Sequence, residues 1–353
     1  HTGVVGVLDS GKPGPTIALR ADMDALPVLE QTGLEFASTQ TGTYNGEEVP
    51  IMHACGHDTH VAMLMGAAQL LAENTDAFTG KVVFLFQPAE EGAPRGEEGG
   101  AELMVKEGVF ERHDIDAVFG IHINSVSEMG TIGYRERGIM ASVQDFKITV
   151  KGQQVHGAYP WAGIDPIVAS AQLINQLQTI VSRELPLPTA AAVVTVGSIH
   201  GGVRSNIIPE QVEMLGTIRS LDDGMRDHIH EAMQRKVDAV AMATRTEIEL
   251  ITPYSSDYPV TYNDPELTRA VLPIAKRTAG EDRVFERQAV TGAEDFSFFQ
   301  QQAPGVYFFL GGRDPAISAS EAPAHHTPFF RVEDGAMKTG VELFYRLVTE
   351  YPQ

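Results

Sequence analysis

The chain has 353 residues, 43% of them hydrophobic and 21% charged, which is enough for a large buried core and a length that suggests about two domains. A formal net charge of -21 argues against partners such as nucleic acid or an anionic membrane surface, because both require a basic patch. The single cysteine excludes an internal disulfide, and no apolar run approaches the roughly 18 residues of a membrane-spanning helix.

In chain order, Val4–Leu8 already reads as a strand, so the sequence opens inside a fold and a processed leader would not be visible. A cytoplasmic location is the expectation, with the periplasm or secretion left open. Thr16–Arg20 is a short apolar run of strand character, followed at once by Asp22, Asp24 and a Leu26-Pro27 stop. Two carboxylates thus stand at a strand's carboxyl end, where open α/β sheets bind ligands. Aspartates that cap a polar turn are the competing reading. The stretch from His53 to His60 then sets the lone Cys55 among His53, His57 and His60. Thiolate and imidazole suit a borderline-soft cation such as zinc, and Gly56 lets the backbone turn Cys55 and His57 toward one centre. A Cys-x-His pair with no metal is the alternative. Asp58 reads as the N-cap of a helix that reaches about Glu73, and the positive end of that helix would favour a Cys55 thiolate.

Lys81–Phe86 is a continuous β-type run that ends in Gln87-Pro88-Ala89-Glu90-Glu91, again with acids at a strand end. Ala117–Ile121 repeats the pattern and ends in His122. Three such ends in succession make coincidence a poor explanation. Helical segments over 58–73 and about 99–107 alternate with these strands, which implies an α/β fold with a doubly wound, mainly parallel sheet. From Ala141 the character changes: an alternating strand at Asp145–Val150, an amphipathic helix over 166–181, strands at 193–199 and 211–219, a helix over 222–244 and a strand at 246–251. That βαββαβ order is that of a ferredoxin-like unit. The first pattern resumes with a helix at about 266–278, Gly292-Ala293-Glu294-Asp295-Phe296, the strand Gly305–Leu310 and Ala324-His325-His326-Thr327-Pro328-Phe329. The expected organisation is a discontinuous catalytic domain over 1–141 plus 255–353, with a lid or dimerisation domain inserted at 142–254. Exposed strand edges or helices on the insert would pair with a second copy, so a homodimer or higher homo-oligomer is expected.

Arg20-Ala21-Asp22-Met23-Asp24-Ala25-Leu26-Pro27, the Cys55-Gly56-His57-Asp58 turn, Gln87-Pro88-Ala89-Glu90-Glu91, Asn206-Ile207-Ile208-Pro209 and Gly292-Ala293-Glu294-Asp295-Phe296 together resemble one family. It is the aminoacylase and carboxypeptidase group of dinuclear metallohydrolases, and the nearest branch holds bacterial N-acyl amino acid amidohydrolases, hippurate hydrolases and plant auxin-conjugate hydrolases. The resemblance covers almost the whole chain in order, apart from the family's opening helix and strand. It implies that Cys55, His57, Glu91, His122 and His326 bind two divalent ions, with zinc, manganese, nickel and cobalt as the candidates. His326 is preferred to His325 because the family's ligand stands two residues before the proline, here Pro328. In relatives outside this branch an aspartate bridges the ions and a histidine stands where Asp22 is, so Cys55 takes the bridging place and His57 compensates.

The same resemblance makes Glu90 the general base, with Asp24 and His156 in the catalytic set, His156 helping to hold the oxyanion. Asn206 and Arg219 would grip the substrate's carboxylate, with Arg204 a weaker candidate, and His53 and His60 are left with structural roles. The ligand set suits the chemistry independently: two ions can clamp and acidify a water, and a carboxylate beside them can move its proton to the leaving amine. The expected activity is metal-dependent hydrolysis of the amide bond in a small N-acyl or N-aminoacyl amino acid. A dipeptidase or carboxypeptidase activity, or an inactive metal-stabilised binding protein, are the alternatives. A thiol hydrolase built on Cys55 and His57 leaves Glu91, His122 and His326 without a purpose.

Overall fold

Runs rich in β-branched and aromatic residues, separated by amphipathic helices, build a seven-stranded sheet in the order Val4–Asp9, Lys81–Gln87, Thr16–Asp22, Ala117–Glu128, Gly305–Arg313, Ile132–Tyr134 and Val284–Glu286. The computed structural model describes residues 1–94, 96–255 and 257–352. Lys81–Gln87, Thr16–Asp22, Ala117–Glu128 and Gly305–Arg313 run parallel as neighbours, and Thr16–Asp22 is buried at every position. The sheet is mainly but not wholly parallel. Val4–Asp9 is antiparallel to its neighbour, and so is Ile132–Tyr134 to Gly305–Arg313. The outermost strand Val4–Asp9 has mostly exposed or half-exposed side chains, a position an antiparallel edge tolerates and a parallel core strand does not.

Helices His57–Glu73, Pro265–Ala279 and Gly335–Thr349 pack with this sheet around Leu19, Leu64, Phe119, Phe308 and Phe344, all essentially inaccessible. Two local expectations change. The helix expected to be capped by Asp58 begins at His57, with Gly56 as its N-cap at φ 90° and no side-chain cap. That left-handed backbone and a built Cβ only 2.4 Å from Ile123 Cγ2 leave room for glycine alone. The strand expected to end at His122 continues to Glu128, because Gly305–Arg313 pairs with it through Ile123 and Asn124, so His122 lies mid-strand opposite Phe309.

Packing divides the chain into two compact units. The larger comprises His1–Ile139, Tyr262–Gln288 and Asp295–Gln353; the smaller comprises Met140–Thr261 and Ala289–Glu294. In the smaller unit an antiparallel sheet runs in the order Ala192–Gly201, Gln211–Ser220, Ser142–Lys151, Glu247–Ile251. Helices Pro166–Thr179 and Asp223–Thr244 bury Leu173, Leu177, Ile229 and Met233 in one core with Phe146, Ile148, Val150 and Met214 of the sheet. Asp165 caps the first helix by accepting from the N–H groups of Ile167 and Val168, and Asp222 caps the second through the Met225 N–H. Among the described residues no helix is long and apolar enough to cross a membrane.

Candidate metal centre

Parallel pairing of Thr16–Asp22 with Lys81–Gln87 sets Asp22 opposite Gln87, so the two acidic segments that follow leave the sheet side by side. The second turns at Ala89, whose φ of 56° is unusual for a residue with a side chain. Asp24 braces this turn: its Oδ1 accepts the Glu90 N–H at 3.0 Å and its Oδ2 the Glu91 N–H at 3.1 Å. The loop carrying the paired histidines is strained in the same way, with His326 at φ 63° and its N–H donated to the Ala54 carbonyl at 2.8 Å. Strain of this kind concentrates where a site must be held in one geometry.

These loops converge on Cys55. Its sulfur lies 3.4 Å from His122 Nε2, 3.2 Å from His326 Nε2 and 3.6 Å from His325 Nδ1, while Glu91 Oε1 stands 2.9 Å from His326 Nε2. Donor atoms of Cys55, His57 and His122 all lie within 4.8 Å of one another, as do those of Cys55, Glu91 and His326. Cys55 is shared by both groups. The structure thus brings together all five residues singled out as ligands, with Glu90 adjacent: its Oε2 is 3.9 Å from His57 Nε2.

The donor set fits divalent cations by a test internal to the chain. Both ring nitrogens of His57 are buried without a hydrogen bond, although Asp24 and Asp22 oxygens lie 3.3 and 3.8 Å away. Buried polar nitrogens are nearly always partnered, and a ring nitrogen turned into a cluster of carboxylates and a thiol is what a cation would satisfy once the ring has lost its extra proton. The charges agree. Burial, followed by the negative charges of Glu91, Glu90 and Asp22, pushes the Cys55 thiol far above its ordinary range. This corrects the expectation that the helix N-terminus would favour the thiolate: a half-charge dipole is outweighed by burial and three carboxylates, a balance that a bound cation would oppose. Burial draws His57 down, but Asp22 and Asp24 outweigh it and raise it to about 9. Glu91 raises His326, whereas burial and neighbouring imidazoles hold His122 well below its ordinary value and His325 down to about 4.

Loading the centre must therefore expel protons. At pH 7.5 the Cys55 thiol and the His57 imidazolium each carry one, and the raised His326 adds to them, so binding is expected to release at least about two protons per chain, a number that falls as pH passes 9 and His57 deprotonates unaided. Apparent metal affinity should rise with pH across that window. Calorimetric titration with zinc in buffers of different ionisation enthalpy measures the release; a value near zero at pH 7.5 would contradict these charge states.

Behind the ligands lies a buried ionic lattice that sequence reasoning did not assign. Arg20, 1% exposed within an otherwise apolar strand, contacts Asp22 Oδ2 at 2.6 Å and Asp295 Oδ1 at 3.1 Å and donates through Nε to Gln87 Oε1 at 2.8 Å. Gln87 in turn donates to both Asp295 oxygens at 2.8 Å, and the Ala101 N–H donates to Asp295 at 2.7 Å. Asp22 passes this order forward by accepting from His60 Nδ1 and lying beside His57. Burial raises the Asp22 carboxyl, but Arg20 and then His57 and His60 hold it well below its ordinary range. The available signal was an arginine and a glutamine inside strands that read as fully buried, since such groups are almost never buried unpaired.

His156, Asn206 and Arg219 belong to the smaller unit. Val155–His156 pairs antiparallel with Ile207–Ile208, which sets His156 next to Asn206; the Gly157 N–H donates to the Asn206 carbonyl at 2.8 Å, and His156 Nδ1 accepts the Ala158 N–H at 3.0 Å. Arg219 is half-buried and donates to its own strand, at Thr217 Oγ1 and the Ile218 carbonyl.

Comparison with known proteins points the same way. The profile of Peptidase family M20/M25/M40 matches residues 18–350. Thermostable carboxypeptidase 1 of Saccharolobus solfataricus is 43% identical over 340 residues, covering 96% of this chain and 81% of that protein. The N-acetyl-L-cysteine deacetylase of Bacillus subtilis is 37% identical over 336 residues, covering 95% and 74%. Among solved structures, the Bacillus subtilis YXEP protein, a dinuclear metal binding peptidase from the M20 family, superposes with a TM-score of 0.79 at 32% identity, covering 99% of this chain and 85% of that one.

Proposed function

The chain belongs to Peptidase family M20/M25/M40 and is a hydrolase of that family, and on this premise we propose that it cleaves the amide bond of small N-acyl amino acids. The observation that carries the reading is the convergence of Cys55, His57, Glu91, His122 and His326 on one spot, with Glu90 beside them. Likeness to an N-acetyl-L-cysteine deacetylase supports the substrate class. Two divalent ions held by those five residues would, when bound, polarise the scissile carbonyl and acidify the attacking water. The thiolate, imidazole and carboxylate donors suit zinc, cobalt, nickel or manganese.

The chain's own residues supply the proton movement. Glu90 accepts the proton of the attacking water and delivers it to the amide nitrogen as the C–N bond breaks, so one water yields one carboxylic acid and one amine. Asp24 acts as a positioning residue, since its two oxygens fix the backbone of Glu90 and Glu91 and its charge lies against His57. Asp22 does the same for His57 and His60 from behind.

A carboxypeptidase reading is favoured by the 43% identity to a thermostable carboxypeptidase and needs the same chemistry on a longer acyl side. One panel decides: N-acetyl and N-benzoyl amino acids against peptides with free carboxyl ends, each with added Zn²⁺, Mn²⁺, Co²⁺ or Ni²⁺ and after exhaustive chelation. Metal-dependent release of free amino acid from the N-acyl set is the expected result. Activity that survives chelation would sink the metal mechanism, and turnover of peptides alone would select the carboxypeptidase reading.

A further inference from the structure

Three imidazoles near Cys55 have their protonation pattern dictated by the backbone of one strand segment, His122–Ser125. The Ile123 N–H points at His60 Nε2 at 2.8 Å, and the Ser125 N–H points at His325 Nε2 at 3.2 Å. A backbone N–H can only donate, so each of these ring nitrogens presents a lone pair and the ring proton sits on Nδ1. The Ile123 carbonyl can only accept, and at 2.5 Å from His122 Nδ1 it places that ring's proton on Nδ1 too, which leaves the Nε2 lone pair facing Cys55. For His60 the Nδ1–H is spent on Asp22. His325 faces Cys55, whose sulfur lies 3.6 Å from Nδ1 and whose backbone also hydrogen-bonds this ring.

We propose that His325 is a positioning residue that donates its Nδ1–H to the sulfur of Cys55, while its sequence neighbour His326 offers a lone pair to the metal centre. The inference rests on the metal-centre reading above. Two adjacent histidines thus reach one sulfur through different ring nitrogens, His325 through Nδ1 and His326 through Nε2. Were His325 a ligand through Nδ1, its proton would have to sit on Nε2, and that N–H would then oppose the Ser125 N–H across 3.2 Å. The ring is further held by Phe330, whose centroid lies 4.7 Å from it. An N–H···S bond draws electron density from the thiolate and fixes its orientation, the part that groups behind the ligands play at metal centres.

The ring tautomer can be read on the protein as isolated by long-range ¹H–¹⁵N correlation, assigned with His325→Gln: protonation at Nδ1 is expected, and protonation at Nε2 overturns the proposal. In cobalt-loaded protein, His325→Ala should keep the wild-type number of ions per chain, bind cobalt about 10- to 100-fold more weakly, and shift the sulfur-to-cobalt absorption to longer wavelength. His325→Gln, whose amide can donate, should return the band toward wild type. Loss of one ion per chain would make His325 a ligand, and an unshifted band would show that no hydrogen bond reaches the sulfur; either overturns the proposal. If the wild-type chain binds no cobalt at all, the metal-centre reading fails and this inference falls with it, whereas failure at full occupancy concerns His325 alone.

Discussion

Replacing Glu90 with Gln is expected to lower kcat by about 10²- to 10⁴-fold while the number of ions per chain stays at the wild-type value. The substitution is isosteric and keeps the backbone N–H that Asp24 holds at 3.0 Å, so the turn at Ala89 and the placement of Glu91 should persist. What is lost is a carboxylate able to take a proton and give it back. Glu90 is 6% exposed and stands 3.9 Å from His57 Nε2, a position beside the ligands that suits proton transfer at the reacting amide. Steady-state kinetics on an N-acyl amino acid, together with elemental analysis of the same preparation, separates the possibilities. Unchanged turnover would remove Glu90 from the mechanism. Lost turnover accompanied by a lost ion would make it a ligand, an assignment its grouping with His57 and Glu91 allows.

Removing the guanidinium of Arg20 should have the largest effect on stability. Arg20→Met is expected to destabilise the fold by ~3–5 kcal/mol at neutral pH, because the buried Asp22 and Asp295 would lose the cation that balances them and keep partners such as His60, Gln87 and the Ala101 N–H. The pH dependence follows from the sign of the shift. Asp22 titrates well below its ordinary 3.8 in the folded chain, so its contribution is present above that value and is lost as pH falls through the folded value. The gap between wild type and variant should therefore be full at pH 7 and narrow below about pH 4, where protonation relieves a carboxylate that has lost its guanidinium. Denaturant midpoints of the metal-free proteins across pH 3–7 measure it. An equal gap at every pH would assign the loss to packing rather than to charge.

Much of the architecture was legible because it depends on local pattern. Buried strands such as Lys81–Gln87 announce themselves as apolar β-branched runs, and helices such as Asp223–Thr244 by their period. Edge-strand direction was not legible: Val4–Asp9 runs antiparallel although nothing in its composition distinguishes it from a parallel strand. The cap at Gly56 escapes composition because Asp58, the second helical residue, is the stronger compositional signal, whereas the deciding quantity is a backbone angle. Arg20 and Asp295, 275 residues apart, could not be paired without the sheet that brings them together.

The donor chemistry was already written in the sequence: one thiol, several imidazoles and paired carboxylates at strand ends, in an order that resembles a metallohydrolase family. Only the tertiary structure decided the charge state and the polarity of those donors. Burial and then carboxylates from two other segments raise Cys55, Arg20 holds Asp22 down, and the adjacent His325 and His326 approach one sulfur through different ring nitrogens, His325 with its Nε2 held by the Ser125 N–H and His326 with its Nε2 beside Glu91. The reason is physical: burial strips away the water that would screen such groups, so partners remote in sequence and close in space set which proton stays and which lone pair is free.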